Sequence, residues 1–287
     1  GDIASCLILG GDPLHYHRVG ISVSLGRGFT MIGVPTAQHP PAFYVLSGAL
    51  DRVGLKTFEA KRPVFALVGT VGVTLLGLVG FRVGGRRAPL VGCIAAGLAA
   101  FYPSFVTNDI YGMSESVFLV LMCVAVLAVY RMFARPTFAN AALVGTSVGL
   151  AWLTRTEAIG YLLTVLVVVL VRPMWEWRRR LLLSGTALAV ACLVVTPWLI
   201  RNLTTFEDRV LFTTNVGQTL VLGACDEVAT GTGIGLFSFA CLPDGEARRG
   251  YSIDESTNDR NYRDAAVAYY REHPDRVPTV ALARLGR

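Results

Sequence analysis

The chain has 287 residues, 53% of them hydrophobic and only 16% charged, with a mean hydropathy of +0.53 and a net charge of +6. Soluble domains carry about 25% charged residues and disorder needs low hydrophobicity, so the composition argues against a soluble enzyme and excludes a disordered chain. The 26 basic residues, of which only Lys56 and Lys61 are lysines, sit in short clusters between apolar runs and not along one polar face, so nucleic acid is excluded as a partner.

Two weaker apolar stretches come first, 14–25 and 39–55, the second broken by Asp51 and Arg52. Both are expected to be helices lying in the membrane interface. Six apolar segments follow, roughly 63–83, 89–106, 114–130, 138–153, 158–171 and 181–200. A span needs about 20 apolar residues, so several are near the lower limit. The fourth and fifth are separated only by Thr154, Arg155, Thr156 and Glu157 and are together too long for one span, which favours two spans or a re-entrant pair. The tail 259–273 has helical spacing (Ala265, Ala266, Ala268, Tyr269, Tyr270), and Pro274 ends it. The expected fold is an all-α polytopic membrane protein of about six transmembrane helices. Residues 1–62 form a first outer loop with interfacial helices, 63–200 the bundle, and 201–287 an outer segment. Gly1 is not preceded by a signal peptide and Arg287 falls within a basic amphipathic stretch, so the chain is expected to be a fragment, with spans missing at both ends.

The turns alternate in charge. Arg82, Arg86 and Arg87 follow the first span, Arg131 and Arg135 the third, and Arg172, Arg178, Arg179 and Arg180 the fifth. The loop 107–113 has no basic residue and the turn at Arg155 has one. The positive-inside rule places the arginine-rich turns in the cytoplasm. Residues 1–62, 107–113, 154–157 and 201–287 then face outside a plasma membrane, and six spans return the chain to the side where it began. Trp175 and Trp177 fit an interfacial anchor. A channel would carry polar or charged groups at mid-span, and the span centres have almost no ionisable residues.

Cys93, Cys123 and Cys192 lie within spans as ordinary packing, and Cys6 has no evident partner. Cys225 and Cys241 flank a loop with Gly231, Gly233 and Gly235 in the outer segment, where a disulfide can persist. Metal-binding cysteine spacing is absent; the scattered carboxylates could hold a divalent ion, but no spacing argues for one. Asn202-Leu203-Thr204 is a sequon too close to the last span to be more than chance.

Most polar residues that could do chemistry fall on the outer face. Asp12-Pro13 reads as a helix start, Asp12 as the N-cap and Pro13 at the first helical position. His15 and His17 are two apart and do not share a helix face, which argues against a metal held by both. Pro40 and Pro41 after His39 read as a rigid turn. Asp109 and Glu115 sit in the second outer loop, with Ser114 as N-cap of the third span and Glu115 favourable in its first turn. Arg155 and Glu157 could simply pair. Trp198 reads as an interfacial anchor and Arg201 as a snorkelling residue or a contact for an anionic headgroup. Taken together, acids (Asp12, Asp109, Glu115) and cations (Lys61, Arg62, Arg155, Arg201) at one membrane face suit a reaction on a lipid-linked phosphate substrate, the cations holding the phosphate and a carboxylate deprotonating a nucleophile.

Several short runs carry a resemblance. They are Gly11-Asp12 with Tyr16-His17, Gly26-Arg27-Gly28-Phe29, Pro35-Thr36-Ala37 with His39-Pro40-Pro41, Tyr102-Pro103 with Asn108-Asp109 and Met113-Ser114-Glu115-Ser116, Gly149-Leu150-Ala151 with Leu153-Thr154-Arg155, and Thr196-Pro197-Trp198 with Arg201-Asn202. Thr213-Thr214-Asn215 with Gly217 and Gly223-Ala224-Cys225-Asp226 look like the outer segment of actinobacterial members. In this order they resemble, over nearly the whole chain, the GT-C superfamily of polytopic glycosyltransferases, in particular family 39 with its protein mannosyltransferases and aminoarabinose transferases. The resemblance implies a GT-C-like bundle and inverting transfer of a sugar from a polyprenyl-phosphate donor to a protein, lipid or glycan acceptor on the outer face. It implies that Asp12 is the general base. Many members have an Asp-Glu pair where this chain has Asp12-Pro13, so the second acid would be Asp109 or Glu115. Arg62, Arg155 and Arg201 would bind the donor phosphate, and Tyr16, His17 and His39 would shape the acceptor site. The alternatives are a transporter or flippase for a lipid-linked or anionic solute, which predicts broken helices in paired halves, and a non-catalytic scaffold of the same fold.

Overall fold

A computed structural model describes residues 11–171, 175–242 and 252–286. The structure is 75% helical, with almost no strand. Its contacts divide it into two units, one made of residues 1–32 and 40–198 and the other of 33–39 and 199–287.

The first unit opens with α1 (Asp12–Ser24) and α2 (Pro41–Arg52), the two expected short helices. They approach closely at Gly20 and Gly48: a Cβ on Gly20 would lie 2.4 Å from Ser47 Oγ. Their inner faces supply Tyr16, Val19, Phe43 and Tyr44, which pack with Phe58 and Phe65 of α3 (Phe58–Val83). Helix α3 starts earlier than hydropathy suggests because Thr57 caps it, accepting from the Ala60 amide. Lys61 and Arg62 therefore ride on a helix and not in the preceding loop.

The second apolar segment is broken. Helix α4 (Ala88–Ala100) ends at Phe101, and α5 (Pro103–Tyr111) leaves it at 54°. The residue before a proline is driven out of the helical region, and Tyr102 is extended (φ −73°, ψ 115°). Gly112, left-handed at φ 60°, ends α5. Asn108 and Asp109, expected in a loop, are thus helical.

Helices α6 (Ser114–Ala134), α7 (Phe138–Trp152), α8 (Ala158–Val171) and the first part of α9 (Trp177–Thr205) share a core of Ala125, Met132, Val144, Val148, Leu162, Val165, Leu183 and Ala187. Among the described residues, helices α3, α6 and α9 are long and apolar enough to cross a membrane, and the bent α4–α5 pair passes together, giving three or four candidate spans by length and composition. Helices α7 and α8, of 15 and 14 residues, rise about 22 Å and fall short of a hydrocarbon core of about 30 Å.

Helix α7 meets α9 along small residues. Gly145 and Gly149 are four apart, and a Cβ on Gly145 would lie 2.4 Å from the Ala187 carbonyl oxygen. Small residues at this spacing let helix backbones touch in lipid. Gly145→Ala is expected to destabilise the protein by about 1–3 kcal/mol. Gly160→Ala on α8, where nothing lies within 4 Å, serves as the control. Unfolding midpoints in detergent measure both, and equal midpoints would refute the close approach.

The second unit contains α10 (Val216–Val221), α11 (Asp226–Ala229), α12 (Glu255–Glu272) and α13 (Arg276–Leu285). Helix α12 covers the expected tail helix, and Asp254 caps it through the Ser256 amide. Val221, Ala224 and Ala266 form its small core. Cys225 and Cys241 are bonded (S–S 2.11 Å, Cα–Cα 5.3 Å). Cys93, Cys123 and Cys192 are free, and Cys6 lies outside the described residues, as does Arg172. Asn202 is fully buried and donates to the Leu211 and Phe212 carbonyls, so the sequon is out of reach of a modifying enzyme.

Candidate functional site

A polar cluster of the first unit draws on α1, the start of α6 and the turn between α7 and α8, with α5 beside the start of α6. Gly11, with φ 66°, is the N-cap of α1, so Asp12 is the first helical residue and not the cap. That places Asp12 four residues before Tyr16 on one helix face. Tyr16 is buried, and its hydroxyl donates to Ser114 Oγ at 3.1 Å, a contact between residues 98 apart in sequence. Ser114 is likewise the first residue of its helix, with Met113 as cap. Its hydroxyl thus faces Tyr16 and leans toward Glu115 Oε2 at 3.4 Å. Glu115 is ion-paired to Arg155, which also holds Glu157 at 2.9 Å.

A relay of Tyr16, Ser114, Glu115, Arg155 and Glu157 results, with Glu115 and Arg155 each 32% exposed. Burial pushes the Tyr16 phenol well above its ordinary value, and the charges of Asp12 and Glu115 push it further, against the Ser114 hydrogen bond and Arg155. Both carboxylates therefore act on one hydroxyl. Burial also disfavours the Glu157 carboxylate, but the Arg155 hydrogen bond and charge outweigh it and hold Glu157 below the usual range.

Asp109 of α5 accepts from Ser116 Oγ at 2.5 Å. It fits only because position 69 on α3 is glycine: a Cβ there would lie 1.8 Å from Asp109 Oδ2. Asp109 and Glu115 line one small crevice with Gly69, Phe105, Asn108 and Ser116.

A second cluster was not foreseen from sequence. Lys61, 1% exposed, pairs with Asp51 at 2.8 Å and donates to Ser47 Oγ at 2.9 Å and His17 Nδ1 at 3.2 Å. Lys61 is thus committed inside the protein and is not a surface phosphate ligand. The only signals were a lone acid, Asp51, in an apolar stretch and one of two lysines in the chain.

Because an ammonium has only donors, the Lys61 contact assigns His17 as neutral, with its proton on Nε2. Burial, and then the Lys61 charge, lower its pKa. A histidine whose folded pKa is lowered binds its proton more readily when unfolded, so stability falls as pH drops below about 6.5 toward the folded value. His17→Gln is expected to flatten that part of the stability profile between pH 7 and pH 5. A profile identical to wild type would refute this environment.

Arg62 differs from Arg155. Its guanidinium lies over the Phe58 ring at 5.2 Å, its Nε is buried without a hydrogen bond, and among the described residues it has no ion pair. Trp198, expected as an interfacial anchor, is buried edge-on to Phe29 at 5.1 Å.

The structure thus brings together Tyr16, Glu115 and Arg155, with Asp12 on the Tyr16 helix face, Asp109 in the Glu115 crevice and His17 on Lys61. His39, Arg201, Cys225 and Cys241 belong to the second unit. There Arg201 donates to the Thr36 carbonyl and to Asn202 Oδ1, both at 3.0 Å, and lies over Phe206 at 5.2 Å, so it braces the 33–39 segment. Among the described residues no three His, Cys, Asp or Glu side chains converge as a metal site.

Apolar spanning helices with a cluster of carboxylates and guanidinium groups at one end define a polytopic membrane protein with a polar site at a membrane face. Residues 38–200, more than half of the chain, match the dolichyl-phosphate-mannose-protein mannosyltransferase family. The chain belongs to that family, and so to the membrane glycosyltransferases of the GT-C type. The matched region holds His39, Arg62, Asp109, Glu115 and Arg155, and it begins after Asp12, Tyr16 and His17. No curated protein and no solved structure matches the chain.

Proposed function

We propose that the protein transfers a sugar, mannose or a relative, from a polyprenyl-phosphate donor to a hydroxyl of a protein, lipid or glycan acceptor, with inversion at the anomeric carbon. The observation that carries this reading is the gathering of Asp12, Tyr16, Asp109, Glu115 and Arg155 at one end of apolar helices in a chain of glycosyltransferase family. Asp12 takes the proton of the acceptor hydroxyl as its oxygen attacks the anomeric carbon, and the bond to the phosphate oxygen breaks. Polyprenyl phosphate leaves as an anion, which cations stabilise.

Arg62 has no carboxylate partner among the described residues and sits at the start of α3 beside the polar cluster, and it is the foremost phosphate ligand of the reading. Arg155, bound to Glu115 and Glu157, holds the acids in place as well as adding charge. His17 offers its Nε2 proton to an acceptor oxygen, with Tyr16 shaping the site. Asp109 and Glu115, the carboxylates a divalent ion would use, are engaged by Ser116 and Arg155, and no step is routed through a metal. The arginine-rich helix ends lie at the opposite ends of α3 and α6, and the positive-inside rule supports reading the site as facing outside the cytoplasm at a plasma membrane.

The bent α4–α5 pair is a feature that favours a transporter or flippase instead. Membranes bearing the full-length protein and labelled polyprenyl-phosphate mannose separate the two. Mannose appearing in a new product above control membranes is expected. Intact donor crossing the bilayer without transfer would overturn the enzyme reading.

A further inference from the structure

One cavity of the first unit lies apart from the cluster of Asp109, Glu115 and Arg155. It measures about 700 Å³ and opens between the far ends of α3 and α6 and the start of α7. Apolar side chains of Leu78, Leu127 and Leu143 line its body, and Arg82, Arg131 and Arg135 line its rim. Helices α3 and α6 run side by side, since Gly72 of α3 faces Leu119 and Val120 of α6. Arg82 is thirteen residues beyond Gly69, so the rim lies roughly 20 Å along the bundle from the crevice of Asp109 and Glu115.

The charge balance at this end is one-sided. No acidic residue occurs between Glu59 and Asp109 or between Glu115 and Glu157. Among the described residues none of the three rim guanidinium groups has an ion pair or a side-chain hydrogen bond. An apolar groove that ends in uncompensated arginines at a membrane surface complements a molecule with hydrocarbon tails and an anionic head. Its volume lies within the range of ligand pockets.

We propose that this groove binds an anionic glycerophospholipid of the leaflet at the arginine-rich end, its phosphate on Arg82, Arg131 and Arg135 and an acyl chain along Leu78, Leu127 and Leu143. Polyprenyl phosphate shares the head chemistry. The glycerophospholipid is preferred because the donor phosphate must reach carboxylates at the other end of the bundle, whereas bilayer lipid is always beside this groove.

The test uses the full-length protein in neutral detergent, titrated with dioleoyl phosphatidylglycerol, dioleoyl phosphatidylcholine or undecaprenyl phosphate, with bound lipid read by native mass spectrometry. Phosphatidylglycerol is expected to bind more tightly than phosphatidylcholine. Arg131→Gln with Arg135→Gln is expected to weaken phosphatidylglycerol about thirtyfold, while Arg86→Gln with Arg87→Gln, outside the groove, leaves it unchanged. Ala134→Trp fills the groove and keeps every arginine, so the charge signals for topology persist; it is expected to weaken phosphatidylglycerol to the phosphatidylcholine level. Equal binding of the two phospholipids, or wild-type phosphatidylglycerol binding by a folded Ala134→Trp protein, would overturn the site. Undecaprenyl phosphate displacing phosphatidylglycerol at far lower concentration would overturn its occupant.

Discussion

Asp12→Asn is expected to lower the turnover of sugar transfer by about a hundredfold to ten-thousandfold, the usual contribution of a general base. The substitution keeps the shape of the side chain and removes its charge. In the first turn of α1 that charge is worth only about 0.3–1 kcal/mol to the helix, so the protein should still fold. The KM for the donor is expected to change little, because the base acts on the acceptor. Initial rates in membranes with matched protein amounts measure the effect. Wild-type turnover would remove Asp12 from the reaction and pass its role to Asp109 or Glu115, which share the neighbouring crevice.

Lys61→Met is expected to have the largest effect on stability. It leaves the Asp51 carboxylate buried with no cation, since Asp51 is 5% exposed and Lys61 is its ion-pair partner. Breaking a buried pair from one side costs about 3–5 kcal/mol. Asp51→Asn placed on top of Lys61→Met should recover much of that loss, because the uncompensated charge is then gone. Thermal unfolding of the two single variants and the double variant forms a cycle that isolates the pair. A Lys61→Met protein as stable as wild type would show that the cluster does not hold α1, α2 and α3 together.

The sequence exposed what depends on neighbours along the chain. Apolar runs marked the spanning helices, and turn residues marked the starts of α1 and α2 and the end of α12. Averaged hydropathy could not reveal the break at Tyr102-Pro103, because the residues on both sides are apolar and only the geometry before a proline separates them. The Lys61 cluster was hidden for a related reason. Its acid and its base lie in different apolar stretches, and each alone looks like an interruption. The tie from Tyr16 to Ser114 joins residues 98 apart, and no local pattern carries such a contact. Arg155 was legible as a cation near acids. Its commitment to Glu115, forty positions away, decides how much of its charge is left for a phosphate, and that emerges only in three dimensions.

Gly69 gives the experimenter a way to separate where a carboxylate is from what charge it carries. Asp109→Asn changes the charge and leaves the side chain where it is. Gly69→Ala does the reverse: the added methyl group falls where Asp109 Oδ2 now lies, so the carboxylate must move while keeping its proton chemistry. If transfer depends on the negative charge alone, the two variants will part company. If it depends on the carboxylate standing at one place beside Ser116, both will fail together, and a single methyl group on an apolar helix will have acted as an off-switch for a polar centre it does not itself belong to.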